Sequence, residues 1–205
     1  MGSYLQLPSF GLLRRPTHPT PQSIYAVIKQ VSRPVTMSFP KLIPAFTAQI
    51  VIEPPANIGT TARGGTILFV PFVPNSGSVK SEDSYPIQLD AEFVHGADYV
   101  RMDPNGENVR LEIHSVAKDK ATGALFRFSY TGTVSLAGPA GKLFRGEPDM
   151  ATTGFGDAFT HHVFETGDER LGPLQNKVFV GSGRFIIEPG KPIVVEYKIS
   201  EVTAS

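Results

Sequence analysis

The chain has 205 residues, of which 40% are hydrophobic, so it can bury one sizeable core and is expected to form one domain, with or without an arm. Its 19 basic and 19 acidic residues balance, and no basic run stands out, so nucleic acid is not an expected partner. Cysteine is absent, which excludes disulfides, thiolate nucleophiles and cysteine metal sites.

The sequence carries no membrane or secretion signal that we can identify. No apolar run approaches the ~18 residues needed to cross a membrane. Residues 1–15 lack an apolar segment preceded by basic residues, which is the pattern of a secretory signal. We therefore expect a cytoplasmic protein without a membrane span.

Residues 1–40 differ in composition from the rest of the chain. Pro16, Pro19 and Pro21 remove backbone donors and fix φ, so this stretch cannot sustain a helix or a central strand. Residues 23–31 fit a short helix or a strand equally well. A simple tail is one interpretation, and we favour an ordered arm that lies on a neighbouring subunit of a homo-oligomer, followed by a β domain over residues 41–205.

From Ala45 onward the pattern is that of extended structure. Strands are predicted at 46–53, 66–73, 87–94, 109–116, 124–130, 159–164, 177–187 and 193–202. Turn sequences such as Asp103-Pro104-Asn105-Gly106 separate these strands, and residues 138–157 form a long Gly/Pro-rich connection of the kind that serves as a lid or binding loop. This spacing favours an antiparallel barrel or sandwich with mostly up-and-down neighbours.

The predicted strand at 109–116 alternates almost perfectly. Val109, Leu111 and Ile113 fall on one face, and Arg110, Glu112 and His114 fall on the other. The polar face of such a strand normally points at water, but in a closed barrel it can line a ligand cavity. The sequence leaves both arrangements open.

Several short motifs occur in an order that matches a known family. They are Gly96-Ala97-Asp98-Tyr99, Leu111-Glu112-Ile113-His114, Thr122-Gly123-Ala124-Leu125-Phe126, Phe164-Glu165-Thr166-Gly167 and the run 175–183. With them the chain from about 44 to 202 resembles the DUF3237 (UPF0311) family of small β-barrel proteins, with Tyr99 where the family typically has tryptophan. The resemblance implies an all-β, lipocalin-like antiparallel barrel. The arm and the 138–157 insertion resemble fungal members, which often belong to natural-product biosynthesis.

Candidate site residues follow from the motifs and the strand pattern. The candidate catalytic residues are Asp98, Glu112 and His114. The candidate substrate-binding residues are Tyr99, Arg127, Tyr130, His161, Glu165 and Asn176. Asp98 fits a general acid or base whose pKa is adjusted by an apolar wall, or a turn residue that caps its own backbone. Glu112 and His114 point the same way, where Arg127 could pair with Glu112 inside a cavity.

The histidine pair 161–162 does not predict a metal site. Adjacent strand residues face opposite sides, so only one of the two imidazoles can enter a given site. With no cysteine present, neither a metal nor another cofactor is expected. One imidazole is better interpreted as an acid/base group or a ligand contact, for which His161 is the candidate. For Glu165 the alternative is a salt bridge with Arg170.

The leading hypothesis is a cofactor-independent enzyme of fungal natural-product biosynthesis. It would catalyse acid/base-assisted cyclisation or isomerisation, such as intramolecular hydroalkoxylation, of a hydrophobic oxygenated molecule with aromatic or polycyclic rings. Asp98 or Glu112 would transfer the proton while other polar groups hold the oxygenated end. One alternative is a non-catalytic binding barrel. Another is a structural oligomer with a filled barrel, which requires Glu112 and His114 to face solvent.

The arm generates the first testable prediction. A proline-rich segment rarely orders alone, so deleting residues 1–40 should lower the oligomeric state. Size-exclusion chromatography with light scattering on the full-length and truncated proteins measures this. A full-length monomer would contradict the prediction.

Overall fold

The protein's structure, a computed structural model, describes residues 39–62 and 64–204 and is built almost entirely of strands. The strands are β1 (Lys41–Val51), β2 (Ala56–Thr60), β3 (Thr66–Pro71), β4 (Ser76–Ser81), β5 (Asp90–Met102), β6 (Asn108–Asp119), β7 (Leu125–Ser135), β8 (Ala158–Thr166), β9 (Val178–Ile186) and β10 (Val194–Thr203). A short helix α1 (Ala140–Phe144) and a 3₁₀ helix (Gly172–Asn176) complete the elements. The predicted arm lies outside the described residues.

The strands close into an antiparallel barrel. β3 and β4 both pair with β5 and together form one bent strand of the wall, while β2 extends beyond them as a hairpin with β3. The wall runs β1, β4, β5, β6, β7, β8, β9 and β10, and β10 pairs with β1 to close it. Closure leaves no long free edge in the wall. The all-β class and the up-and-down order predicted from the turn spacing are confirmed.

The barrel interior is filled with aromatic side chains over much of its length. Phe46, Phe164 and Phe179 are buried, with ring centroids 5.2 Å apart for Phe46 and Phe164 and 5.1 Å apart for Phe164 and Phe179. The apolar face of β6 also points inward, and Val109 and Ile113 are fully buried. Interior positions of a small barrel must pack against one another, which selects apolar side chains for that face.

One end of the barrel is closed by buried polar contacts. The Tyr85 hydroxyl donates to Oε2 of Glu201 at 2.6 Å, and Lys177 Nζ lies 2.6 Å from Oε1 of the same carboxylate. Asp119 is 1% exposed and pairs with Arg170 at 2.6 Å. Each buried carboxylate thus has a cationic partner, which offsets much of its desolvation. Arg170 therefore pairs with Asp119, and not with Glu165 as the sequence had allowed.

A bulge in β5 decides which of its side chains face the interior. Ala91 and Phe93 are buried, the register with β6 shifts between Phe93 and His95, and the buried positions then become Gly96 and Val100. The extra residue of a bulge changes the alternation by one position. After the bulge, even-numbered side chains point inward, and Asp98 is among them.

Gly96 is required by the close packing around this segment. A Cβ placed there would lie 2.5 Å from Cβ of Ser115 and 2.7 Å from Cδ2 of Phe72, both of which are buried. Neither neighbour can move far without disturbing the core. Steric crowding by Ser115 and Phe72 thus explains why the Gly-Ala-Asp motif begins with glycine.

Substituting Gly96→Ala should reduce the free energy of unfolding by about 1–3 kcal/mol, which is the usual cost of overpacking a core. Urea denaturation measures the change. The control is Gly167→Ala, because a Cβ at Gly167 meets no atom within 4 Å. Equal stability of the two variants would contradict the packing argument.

Candidate functional site

A cavity of about 130 Å³ lies at the end of the barrel opposite the closed one. Its polar lining residues are Asp98, Tyr130 and Tyr197. The rest of its wall is apolar and includes Ile50, Leu68, Val70, Phe72, Val100, Leu111, Phe185 and Val195. None of the described residues that line it is basic. A concave apolar site with a few convergent polar groups is typical of a small-molecule site.

The long connection at 138–157 contributes to this cavity. Its helix α1 places Leu143 and Phe144 in the cavity lining, and the Phe144 ring lies 5.8 Å from that of Phe185. The Asp157 carboxylate accepts the Ala140 N–H at 2.9 Å and so holds the start of the helix. A Cβ at Gly141 would lie 2.1 Å from the carbonyl oxygen of Leu136, so the helix is seated directly on the chain that precedes it.

Asp98 is the carboxyl group of the cavity. Its Oδ1 accepts the backbone N–H of Glu112 at 3.0 Å, at a point where the β5–β6 pairing is interrupted between Asp98 and Arg101. The pKa of Asp98 is raised to about 7, chiefly by burial; the Glu112 N–H opposes this rise and the Glu112 charge adds to it. The carboxyl therefore binds a neighbouring strand instead of capping its own turn. Near neutral pH it can both give and accept a proton.

Tyr130 and Tyr197 supply two phenols next to this carboxyl. Their ring centroids are 5.0 Å apart, and the rings meet edge to face. Burial raises the pKa of both phenols well above the ordinary value, and the Asp98 charge contributes in the same direction. Both hydroxyls stay protonated at neutral pH and can donate to an oxygen of a ligand.

His162 lies behind the phenols and was missed by the sequence analysis, which named His161. The imidazole is fully buried, and its Nε2 lies 2.7 Å from Oγ1 of Thr160. The pKa of His162 is lowered to about 3, chiefly by burial and to a smaller extent by the nearby His161. The available signal was alternation, because His162 has the same parity as Phe164, an aromatic residue that belongs in the core.

Most other predicted site residues lie on the outer face of the barrel. These are Tyr99, Glu112, His114, Arg127, His161 and Glu165, whereas Asn176 is exposed at the end of the 3₁₀ helix. The sequence left open which face of β6 points inward, and in the structure the apolar face fills the interior while the polar face points outward. The filled-barrel alternative needed Glu112 and His114 to face solvent, and they do. Asp98 nevertheless lines a cavity.

The outer residues form a network across three strands. His114 Nε2 lies 3.5 Å from Oε1 of Glu112, its Nδ1 lies 3.1 Å from Nη2 of Arg127, and Arg127 pairs with Glu165. Arg127 therefore meets Glu165 and His114 on the surface, and not Glu112 inside a cavity. Tyr99, Glu112 and His114 also border an open groove on the outer wall. Exposed ion pairs of this kind contribute little to stability.

Two further observations concern the described part of the chain. Residues 39–62 and 64–204 contain no group of three or more His, Asp or Glu placed to hold a metal ion. Across the same residues, no helix has the length and apolar character needed to cross a membrane.

Comparison with known proteins identifies relatives of the same architecture. A family model described as a protein of unknown function (DUF3237) matches residues 40–202. No curated protein matches the chain.

Solved structures of bacterial proteins are similar to this chain. A conserved protein of unknown function from Rhodopseudomonas palustris is 22% identical with a TM-score of 0.63, covering 81% of this chain and 99% of that one. A β-barrel-like protein from Acinetobacter baumannii is 20% identical with a TM-score of 0.61, covering 82% and 99%. A protein of unknown function from Clostridium acetobutylicum is 15% identical with a TM-score of 0.60, covering 81% and 99%. These likenesses establish the fold.

The buried imidazole predicts how stability depends on pH. Because the pKa of His162 is lowered from 6.5 to about 3, the unfolded chain takes up a proton that the folded protein does not. This difference does not affect the free energy of unfolding above pH 6.5, and it lowers that free energy as the pH falls from 6.5 towards 3. Between pH 7 and 4.5 the loss should be about 2–3 kcal/mol.

Urea denaturation at a series of pH values measures this loss. Because the raised pKa of Asp98 contributes stability of the opposite sign over the same pH range, the effect of His162 is read as a difference between variants. The free energy of unfolding of His162→Phe relative to the wild type should rise by about 2–3 kcal/mol between pH 7 and 4.5, whereas His161→Gln, which changes an exposed imidazole, should follow the wild-type curve. Parallel curves for the His162→Phe variant and the wild type would refute the assignment.

Proposed function

We propose that this chain, which belongs to the DUF3237 family, is a cofactor-independent enzyme that uses Asp98 for acid/base-assisted cyclisation or isomerisation of a hydrophobic, oxygenated small molecule. The observation that supports this most directly is the cavity carboxyl, whose pKa is raised to about 7 beside two phenols. A group with a pKa near the working pH is suited to general acid/base catalysis.

The size of the cavity suggests which part of the substrate reacts there. About 130 Å³ is close to the ~150 Å³ apolar cavity that accommodates benzene in another protein. One ring of an aromatic or polycyclic molecule would enter, and the rest would lie at the mouth among Pro55, Leu143, Phe144 and Ile193. The absence of a basic residue from the described lining favours a neutral substrate, since an anion would be desolvated without a partner.

Asp98 is positioned to transfer a proton within such a ring. The Glu112 N–H holds Oδ1, which leaves Oδ2 for the substrate. In an intramolecular hydroalkoxylation, ionised Asp98 takes the proton of a substrate hydroxyl while the oxygen of that hydroxyl bonds to one alkene carbon. Asp98 then gives the same proton to the other alkene carbon. No atom is left over. Tyr130 and Tyr197 would donate to a carbonyl or hydroxyl oxygen and orient the ring.

This proposal changes the roles of the other candidate residues that were named from the sequence. Glu112 would contribute its backbone N–H, and the outer residues His114, Tyr99, Arg127, His161 and Glu165 would not touch the substrate. We retain fungal natural-product biosynthesis, a cytoplasmic location and a homo-oligomer as proposals that rest on the sequence and its resemblance. A non-catalytic binding barrel is the alternative, which the predominantly apolar lining of the cavity also favours.

Substituting Asp98→Asn should lower turnover by about 10²–10⁴-fold, because the titrating proton is lost while the amide oxygen can still accept the Glu112 N–H. A cyclisation or isomerisation conserves mass, so turnover is followed as a new chromatographic peak of unchanged mass from candidate intermediates incubated with the protein. Tm should change little.

Two outer carboxylates provide matched controls. Glu112→Gln and Glu165→Gln both change exposed side chains and should retain turnover. If Asp98→Asn converts the true substrate at the wild-type rate, Asp98 is not the acid/base group, and a binding function becomes the better account.

A further inference from the structure

Ion pairs occupy much of the outer wall of the described barrel, but one part of that wall has none. On β6 and β7 the outward side chains include Arg110, Glu112 and Arg127. The outward side chains in the middle of β8, β9 and β10 include no Asp, Glu, Lys or Arg. We call this surface, with one residue of β1 added, the neutral face, and it consists of Leu42, Phe159, His161, Val163, Val178, Val180, Ser200 and Val202.

The strand register makes the neutral face continuous. Leu42 lies opposite Val202, and Val202 lies opposite Val178, so these three side chains form one row across three strands. A second row lies beside the first and consists of Ser200, Val180 and His161. Side chains opposite one another on neighbouring strands are about 4.5–5.5 Å apart, so each row is a line of contacting groups. The pairings of β8 with β9 and of β9 with β10 contain no bulge, which keeps the rows regular.

The apolar side chains of this face are strongly exposed in the single chain. Leu42 is 58% exposed, Phe159 56%, Val178 50% and Val163 38%. One exposed apolar side chain needs no explanation, because strands favour β-branched and aromatic residues and every protein surface contains some apolar groups. Four of them on adjoining strands, with no charged residue between them, form a contiguous patch. Patches of this kind mark interaction sites.

We propose that the neutral face is the contact surface between two copies of this chain, which pack sheet against sheet about a two-fold axis. Composition favours a second copy over an unlike partner, because homodimer interfaces are more apolar than the contacts of transient complexes. Charge favours it as well: the chain has 19 basic and 19 acidic residues, so two copies do not repel each other at long range. Within the neutral face, no acidic or basic side chain would meet its own copy across the axis.

The neutral face is large enough for a specific contact. It is four strands wide and about three outward positions deep, which corresponds to roughly 19 by 20 Å of wall, or roughly 400 Å² in projection. The relief of the side chains adds to this area, and a specific interface needs ~500 Å² per copy. Two ion pairs stand at its borders, Lys198 with Glu82 at 3.3 Å and Arg127 with Glu165. They provide the polar rim that surrounds the apolar centre of most interfaces.

Substituting Val178→Lys tests the contact, because it places a cation in the middle of an apolar row in both copies at once. Light scattering should give the wild type at least twice the mass of one chain, and the variant half the mass of the wild type at equal concentration. The dissociation constant of the contact should rise by about 100-fold or more. The matched control is Ile58→Lys, which adds the same charge at a side chain that is 56% exposed on β2 and should retain the wild-type mass.

A second measurement locates the contact without placing a change inside it. The chain has no cysteine, so a Glu165→Cys variant takes a single nitroxide label at the rim of the neutral face. Electron paramagnetic resonance should find the two labels within roughly 35 Å, because the face is about 20 Å across and packed sheets lie ~10 Å apart. In the wall order, β5 lies across the barrel from β9, and β2 joins β5 through β3. Labels on an Ile58→Cys variant should therefore be farther apart.

A lipid surface is the other occupant that an apolar face could take, and vesicles of phosphatidylcholine and phosphatidylglycerol test it. The wild type should not sediment with them. A monomeric wild type, a Val178→Lys variant that associates as tightly as the wild type, or vesicle binding that Val178→Lys abolishes would each overturn the inference. The same holds if the labels of Glu165→Cys are as far apart as those of Ile58→Cys, a comparison that still decides the question if Val178→Lys does not fold. All these variants keep residues 1–40 and Asp98, so their results are separate from those of the arm deletion and of Asp98→Asn.

Discussion

The extra residue in β5 is the constraint on which the candidate site depends. Without the bulge between Phe93 and His95, strict alternation from Phe93 would turn Asp98 outward and Tyr99 inward. The cavity would then hold an aromatic ring in place of its acid. Gly96 follows directly and lets Phe72 and Ser115 pack against the bulged segment. One irregularity of pairing therefore gives the cavity its carboxyl group.

The distribution of charge reinforces the effect of that single acid. Exposed ion pairs cover the outer wall, and buried pairs such as Asp119 with Arg170 close the far end, whereas the described cavity lining contains one carboxyl and no basic residue. A charge surrounded by apolar walls interacts more strongly with its few polar neighbours than it would in water. The two phenols are these neighbours.

The fold followed from the sequence because strand and turn signals are local. Alternation within 109–116 and the Asp-Pro-Asn-Gly turn depend on residues near one another, and the structure has β6 and a turn with positive φ at Gly106 in those places. The sequence did not predict the short strands β2 and β4, the 3₁₀ helix or α1. Each has six residues or fewer, and α1, which spans only Ala140–Phe144, is too short for a periodic pattern.

The site could be predicted only in part, because alternation separates two faces without stating which is inside. Of the candidates named from the sequence, Asp98 and Tyr130 line the cavity, whereas Glu112 and His114 lie on the outer side of the wall. The requirement that the interior of a small barrel be filled would have placed the apolar face of β6 inward. The bulge in β5 has no local sequence signature. That His162, and not His161, points inward follows from alternation along β8, because His162 lies two residues before the buried Phe164.

The tight seat of helix α1 has an evolutionary consequence. Gly138 abuts the Asp157 carboxylate, and Gly141 abuts the Leu136 carbonyl, with room for a Cβ at neither position. A larger residue at either site would lift the helix and move Leu143 and Phe144 away from the barrel. The volume available to a ligand could therefore change through residues that never touch it. Selection for a larger or smaller substrate would have a route that leaves Asp98, Tyr130 and Tyr197 unaltered.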